Sequence, residues 1–132
     1  MAHPYFATIH RHLLTLGFDI RHADEQDGIL VVDHPAQGIR NLVLGCGEPL
    51  LILEQYLLEL PAPSCEVYQR LLTKNRDIIH GAFALDESGR KVIFRDTLQL
   101  DTLQLSELEA VLNSLSLLLT EFSDELIGFS RQ

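Results

Sequence analysis

Six histidines and two cysteines are the side chains of this 132-residue sequence best equipped to hold a metal or attack a substrate, and their spacing decides what they can do. His10 and His12 stand two apart on a helical stretch and point in different directions, whereas a ligand pair on one helix face needs a separation of three or four. His3, His22, His34 and His80 fall in separate segments with no cysteine or carboxylate at ligand spacing, so no metal site and no cofactor are expected. Cys65 lies at the expected start of a helix, where the dipole lowers a thiol pKa; a Cys65 nucleophile, with a histidine such as His80 as its base, is one enzymatic hypothesis. An unreactive, half-buried thiol is the plainer reading. Asp86-Glu87 and Asp124-Glu125 are neighbours in a turn and on a helix surface and read as solvated charge. With no glycine-rich phosphate loop, Gly-x-Ser-x-Gly elbow or paired-cysteine motif, no catalytic residue is assigned and the chain is read as a non-enzyme.

The elements that carry these residues alternate between helical and extended patterns. Pro4 suits a first helical turn, Phe6, Ile9, Leu13 and Leu16 recur at the helical period, and Gly17 ends a helix expected over His3 to Leu16. Extended runs follow at Phe18 to His22, Ile29 to Asp33 and Ile39 to Leu44, separated by an Asp27-Gly28 turn and the His34 to Gly38 break. Gly45-Cys46-Gly47-Glu48-Pro49 reads as a turn. Leu50 to Leu58 fits a helical period too, but Pro49 and Pro61 bracket a run of strand length, and strand is the reading adopted. Ser64 is placed to cap a second helix whose buried side would be Val67, Tyr68, Leu71, Leu72 and Asn75. Phe83 and Leu85, the turn Asp86 to Gly89, then Val92 and Phe94 form a hairpin with one apolar face; Lys91, Ile93 and Arg95 on the other predict a sheet covered on one side and partly open on the other. Ser106 and Glu109 stand as a capping box for a final helix of about twenty residues, with Leu108, Val111, Leu112, Leu115, Leu118, Leu119, Phe122 and Leu126 as its stripe and Glu107, Asn113, Ser116 and Asp124 opposite.

The expected architecture is therefore α+β, a single domain spanning residues 1–132, with an antiparallel sheet of five to six strands in the order α-β-β-β(-β)-α-β-β-α. Hydrophobic residues make up 46% and charged ones 22%, which suits a globular soluble chain. No 18-residue apolar stretch is present, since Asn113 and Glu121 bracket the greasiest run, so no membrane span is expected. His10, Arg11 and His12 interrupt the first apolar run and no small-residue cleavage site follows, so no secretory signal is read and a cytoplasmic location is expected, in keeping with two cysteines outside any disulfide framework. With 19 acidic against 10 basic residues the formal charge is −9, which repels phosphate backbones and anionic lipid and excludes nucleic acid as the expected partner.

Leu71-Leu72, the hairpin Gly81-Ala82-Phe83-Ala84-Leu85-Asp86 with Gly89, and Leu98-Gln99-Leu100-Asp101 to Leu103 ahead of an acidic, leucine-rich helix resemble type III secretion chaperones of the Tir-chaperone type, and also the bacterial YbjN-like domain. The element order extends the resemblance over nearly the whole chain, and the local match covers about residues 67–126. These motifs mark turns and core positions, so they speak to fold before function. The resemblance implies a non-enzymatic homodimer that holds a client segment of a protein partner. Val67, Tyr68, Leu71 and Leu72 would then contribute to the dimer interface, and Ile29, Val31, Leu42 and Leu44 would contact the client; each also reads as ordinary core. The His34 to Gly38 break and the segment Leu50 to Leu58 depart from the chaperone pattern and keep open a YbjN-like regulatory or adaptor domain acting on a folded cytoplasmic partner.

Overall fold

The computed structural model describes residues 4–131; His3, expected in the first helix, lies outside them. Helix α1 (Phe6–Thr15) buries Phe6, Ile9 and Leu13, and Pro4 precedes it rather than occupying its first turn. It stops where Gly17 takes φ 86°, which lets the Phe18 and Gly17 amides close back on the Leu13 and Leu14 carbonyls at 2.9 and 3.0 Å. A meander follows, made of β1 (Asp19–Asp24), β2 (Ile29–His34), a short 3-10 turn (Pro35–Gln37), β3 (Ile39–Gly47) and β4 (Leu50–Glu59). After α2 (Cys65–Asn75) come β5 (Ala82–Leu85), β6 (Lys91–Gln99) and the long α3 (Leu105–Ser130).

The six strands form one antiparallel sheet ordered β1-β2-β3-β4-β6-β5. Leu50 to Leu58 is thus a strand, and an interior one: it pairs with β3 on one side and with β6 from Leu50↔Gln99 to Glu59↔Lys91 on the other. Such a segment gains two ladders of hydrogen bonds, which outweighs its tolerance for a helical period. Leu51 and Leu53 of β4, Leu42, Leu44 and Cys46 of β3, Leu30 and Val32 of β2, and Val92 and Phe94 of β6 all point inward. They join one core with Ile9 and Leu13 of α1, Val67 and Leu71 of α2, and Leu108, Leu112 and Leu115 of α3. Each such side chain removed from water stabilises the fold by about 1.5–3 kcal/mol before entropy is counted. Gln55 is the polar exception on this face. The β3–β4 ladder ends at Val43↔Glu54, and the Gln55 amide donates instead to the carbonyls of Arg40 and Tyr56 at 2.8 and 3.0 Å.

Four local expectations are corrected. The β3–β4 connection is only Glu48-Pro49, because Cys46 is drawn into the core and Gly45 and Gly47 stay extended, pairing with Ile52 and Leu50. The capping box of Ser106 and Glu109 does not form. Gln104 is the N-cap, its carbonyl accepting from the Glu107 and Leu108 amides, and Leu103 and Leu108 take the positions of a hydrophobic staple. The helix runs for 26 residues, and Ser116 on its side turns to the protein, donating to the Gln37 carbonyl at 2.9 Å.

Candidate functional site

Because the helices occupy one face of the sheet, the opposite face is left to solvent. The pleat and the register decide what it shows. Val31 lies opposite Val43 and Ile29 opposite Gly45. Val43 continues to Glu54, and Glu54 to Arg95, with Nε to Oε1 at 3.5 Å. Gly45 continues to Ile52, and Tyr56 lies opposite Ile93. Ile29, Val43, Gly45, Ile52, Tyr56 and Ile93 thereby line a shallow, mainly apolar hollow, with Asn41 and Glu54 as its polar members. Gly45 leaves open space there, since a Cβ at that position would meet nothing within 4 Å. Val43 is 40% and Tyr56 51% exposed, high values for such side chains at the centre of a sheet.

The rim toward β1 is polar and fixed. Asp33 is buried and accepts from the Asn41 amide at 2.7 Å and from the Arg21 guanidinium at 2.8 Å. The amide first, and then Arg21, hold its carboxyl below the usual carboxylate range. Asn41 reaches that position at φ 55°, a left-handed conformation that asparagine tolerates better than most residues.

The two sheet edges are managed differently. β1 carries Asp19, Arg21, His22 and Asp24 and an irregularity between Ile20 and His22, features that discourage strand addition. β5, with the sequence Ala82-Phe83-Ala84-Leu85, has no charge. Its edge is closed by Asn75 at the end of α2, which donates to the Phe83 carbonyl at 3.1 Å and accepts the Phe83 amide at 2.8 Å. One side chain thus supplies both bonds that a neighbouring strand residue would.

The residues expected to contact a client fall on two faces. Ile29 and Val31 are half-buried on the open face; Leu42 and Leu44 are fully buried beneath the helices. The last two are corrected to core, because alternation along β3 turns Asn41, Val43 and Gly45 outward in their place. That alternation, together with Tyr56 and Ile93, is the signal from which the hollow could have been read. The dimer candidates divide similarly: Val67 and Leu71 are buried, and the half-buried Tyr68 donates its hydroxyl to the Gly89 carbonyl at 2.7 Å, pinning α2 to the hairpin turn. Leu72, expected on the buried side of α2, is 68% exposed and lies with Tyr68 and Leu85 along a groove between α2 and β5. Leu85, expected under the covering helices, is itself 39% exposed at the end of its strand.

Ser64 caps α2, its hydroxyl accepting from the Val67 amide at 3.2 Å, and Cys65 begins the helix as an exposed, free thiol. Cys46 is buried, which pushes its thiol up. Among the described residues no group of three or more His, Cys, Asp or Glu side chains is placed to hold a metal ion, and no helix is long and apolar enough to cross a membrane.

Among solved structures the fold is similar to YbjN from E. coli, with a TM-score of 0.66 at 10% identity over 90% of this chain and 91% of that one. It is also similar to the structure of the HopA1-SchA chaperone-effector complex, with a TM-score of 0.61 at 17% identity over 97% of this chain and 94% of that one. The type III secretion chaperone SycH of Yersinia pestis, solved with a fragment of YscM2, gives 0.60 at 19% identity over 96% and 99%. Identities this low establish the fold alone. No curated protein matches the sequence. The family model CesT_Tir_1 matches residues 2–132, and the chain therefore belongs to CesT_Tir_1, the type III chaperone family.

Proposed function

We propose that the chain is a non-enzymatic binding module that acts in the cytoplasm as a homodimer and holds a segment of a protein client in the hollow of its open sheet face. The observation that carries this reading is the uncovered apolar hollow itself, from Ile29 and Val43 across Gly45 and Ile52 to Tyr56 and Ile93, on a sheet whose other face packs against the helices. A surface of this kind takes apolar side chains of a partner and binds through them. Family membership, and the effector and fragment complexes among the similar structures, support a protein as the occupant. The exposed Leu72 and Leu85 beside Tyr68 provide the self-association patch.

A photo-crosslinking amino acid placed at Val43 in living cells tests the client surface. The expected result is a crosslink to one short segment of one protein, absent when the same group is placed at the exposed Glu109 on α3. Equal, scattered crosslinks from both positions contradict it. A crosslink to the surface of a folded protein would favour the YbjN-like adaptor reading. For the dimer, light scattering should give twice 14.9 kDa, returning to 14.9 kDa in Leu72→Asp; a monomer at micromolar concentration removes that part of the proposal.

A further inference from the structure

The helical side of the molecule carries a second uncovered apolar surface. Ala110, Asn113, Ser114, Leu117, Leu118 and Glu121 follow one another at helical spacing along α3, a strip of three turns or about 16 Å at 1.5 Å per residue. The chain between α2 and β5 runs beside it, tied there by the Ser114 hydroxyl, which donates to the His80 carbonyl at 3.0 Å. Ile79 on that chain is 88% exposed and Leu117 59%, while Leu118 and Phe122 form a floor continuous with the core. Asp77 and Glu121 line the groove with no ion-pair partner among the described residues. Lys74 does not offset them, since its ammonium sits 2.6 Å from Glu125 and 4.3 Å from the centre of the Phe122 ring.

We propose that this groove docks an amphipathic helix of a partner protein, apolar on the side it inserts and flanked by lysine or arginine. Two features choose a helix over an extended segment. The backbone of α3 is bonded within itself and offers a strand no ladder along the strip, whereas a helix arrives with its own amides satisfied. A strip of three turns also matches the i, i+3/i+4, i+7 spacing with which helices fill grooves. The choice of basic flanks follows from the two uncompensated carboxylates and the net charge of −9. This site is separate from the sheet face and stands or falls independently of it.

The test uses the full chain and two synthetic 18-residue helical peptides, with identical leucines at i, i+3, i+7 and i+11 and either lysine or glutamate flanks, followed by fluorescence anisotropy. The lysine peptide is expected to bind, with the glutamate peptide at least tenfold weaker. Ile79→Ser with Leu117→Ser should weaken the lysine peptide at least tenfold while circular dichroism stays unchanged, and Asp77→Asn with Glu121→Gln should flatten its salt dependence. Ile93→Ser, on the sheet face, should leave its affinity as it was. No binding, equal binding of both peptides, or loss of binding on Ile93→Ser overturns the proposal. So does a dimer in solution that Ile79→Ser and Leu117→Ser dissociate, because a second copy would then be what covers the groove.

Discussion

Replacing Gly81 with alanine drives a methyl group into the ring of Phe94. Gly81 sits at φ +85° just before β5, and a Cβ built on it falls well inside van der Waals contact with three atoms of that ring. Phe94 has nowhere to go: it is fully buried, with Phe83 opposite on one side and Gln55 on the other. Holding alanine at a left-handed φ costs about 1–2 kcal/mol, and forcing an extra methyl into a packed core about 1–3 kcal/mol. The sum, about 2–5 kcal/mol, is a large share of the roughly 5–15 kcal/mol that holds a domain folded. With a urea slope near 2 kcal/mol/M the unfolding midpoint should fall by about 1–2.5 M. Gly38→Ala is the control, since Gly38 has φ +73° but nothing within 4 Å of its Cβ position, so only the backbone penalty applies. Gly81→Ala should therefore be the more damaging of the two, and the gap should shrink in a Phe94→Leu background. Equal urea midpoints for the two alanine variants would mean that Phe94 does not oppose the added methyl group.

Asn75→Ala removes both bonds to Phe83 and should lower stability by about 1–2 kcal/mol, with faster hydrogen exchange at the Phe83 amide as the specific readout; unchanged exchange there contradicts the edge cap. Glu125 accepts from Lys74 and then from Arg70, and both hold its carboxyl below the usual range. A depressed folded pKa adds stability above the unfolded value and loses it as pH falls through the folded one, so urea midpoints should drop below about pH 4.3; Glu125→Gln should show a shallower acid drop. Leu44→Ala should cost about 2–5 kcal/mol as a fully buried position, whereas Val43→Ser should leave the midpoint nearly unchanged; the reverse order would mean the inward and outward residues of β3 are misassigned.

Much of the fold was legible because it rests on local rules. Gly17 ends α1, Ser64 caps α2, and Asp86 to Gly89 turns the hairpin, each through backbone chemistry written in neighbouring residues. The bracketing prolines identified β4 as a strand, although its central place in the sheet depends on β6, more than thirty residues away. What escaped depends on the tertiary surroundings. Gly45 to Gly47 looked like a turn because glycine permits one, but the burial of Cys46 keeps it in the ladder. Leu42 and Leu44 are as apolar as a binding residue needs to be, and composition does not say which face of a strand the helices will cover. The hollow combines residues from four strands, and only the register between those strands brings Val43, Ile52, Tyr56 and Ile93 together. Asn75 was placed on the buried side of its helix, but its service to the edge of β5 has no counterpart in the local pattern.

The open sheet face is proposed to hold a segment of another protein. The most direct measurement is calorimetric titration of the segment crosslinked from Val43, as a synthetic peptide, into the wild-type chain and into Val31→Lys with Val43→Lys. Both substitutions lie on the solvent side, so the fold should survive while one charge enters the hollow at Val43 and a second stands beside it at Val31, the residue paired with Val43. The expected result is at least a hundredfold weaker binding, about 2.7 kcal/mol, with an unchanged urea midpoint. Equal affinity for both proteins would mean that the segment does not sit on the open sheet face.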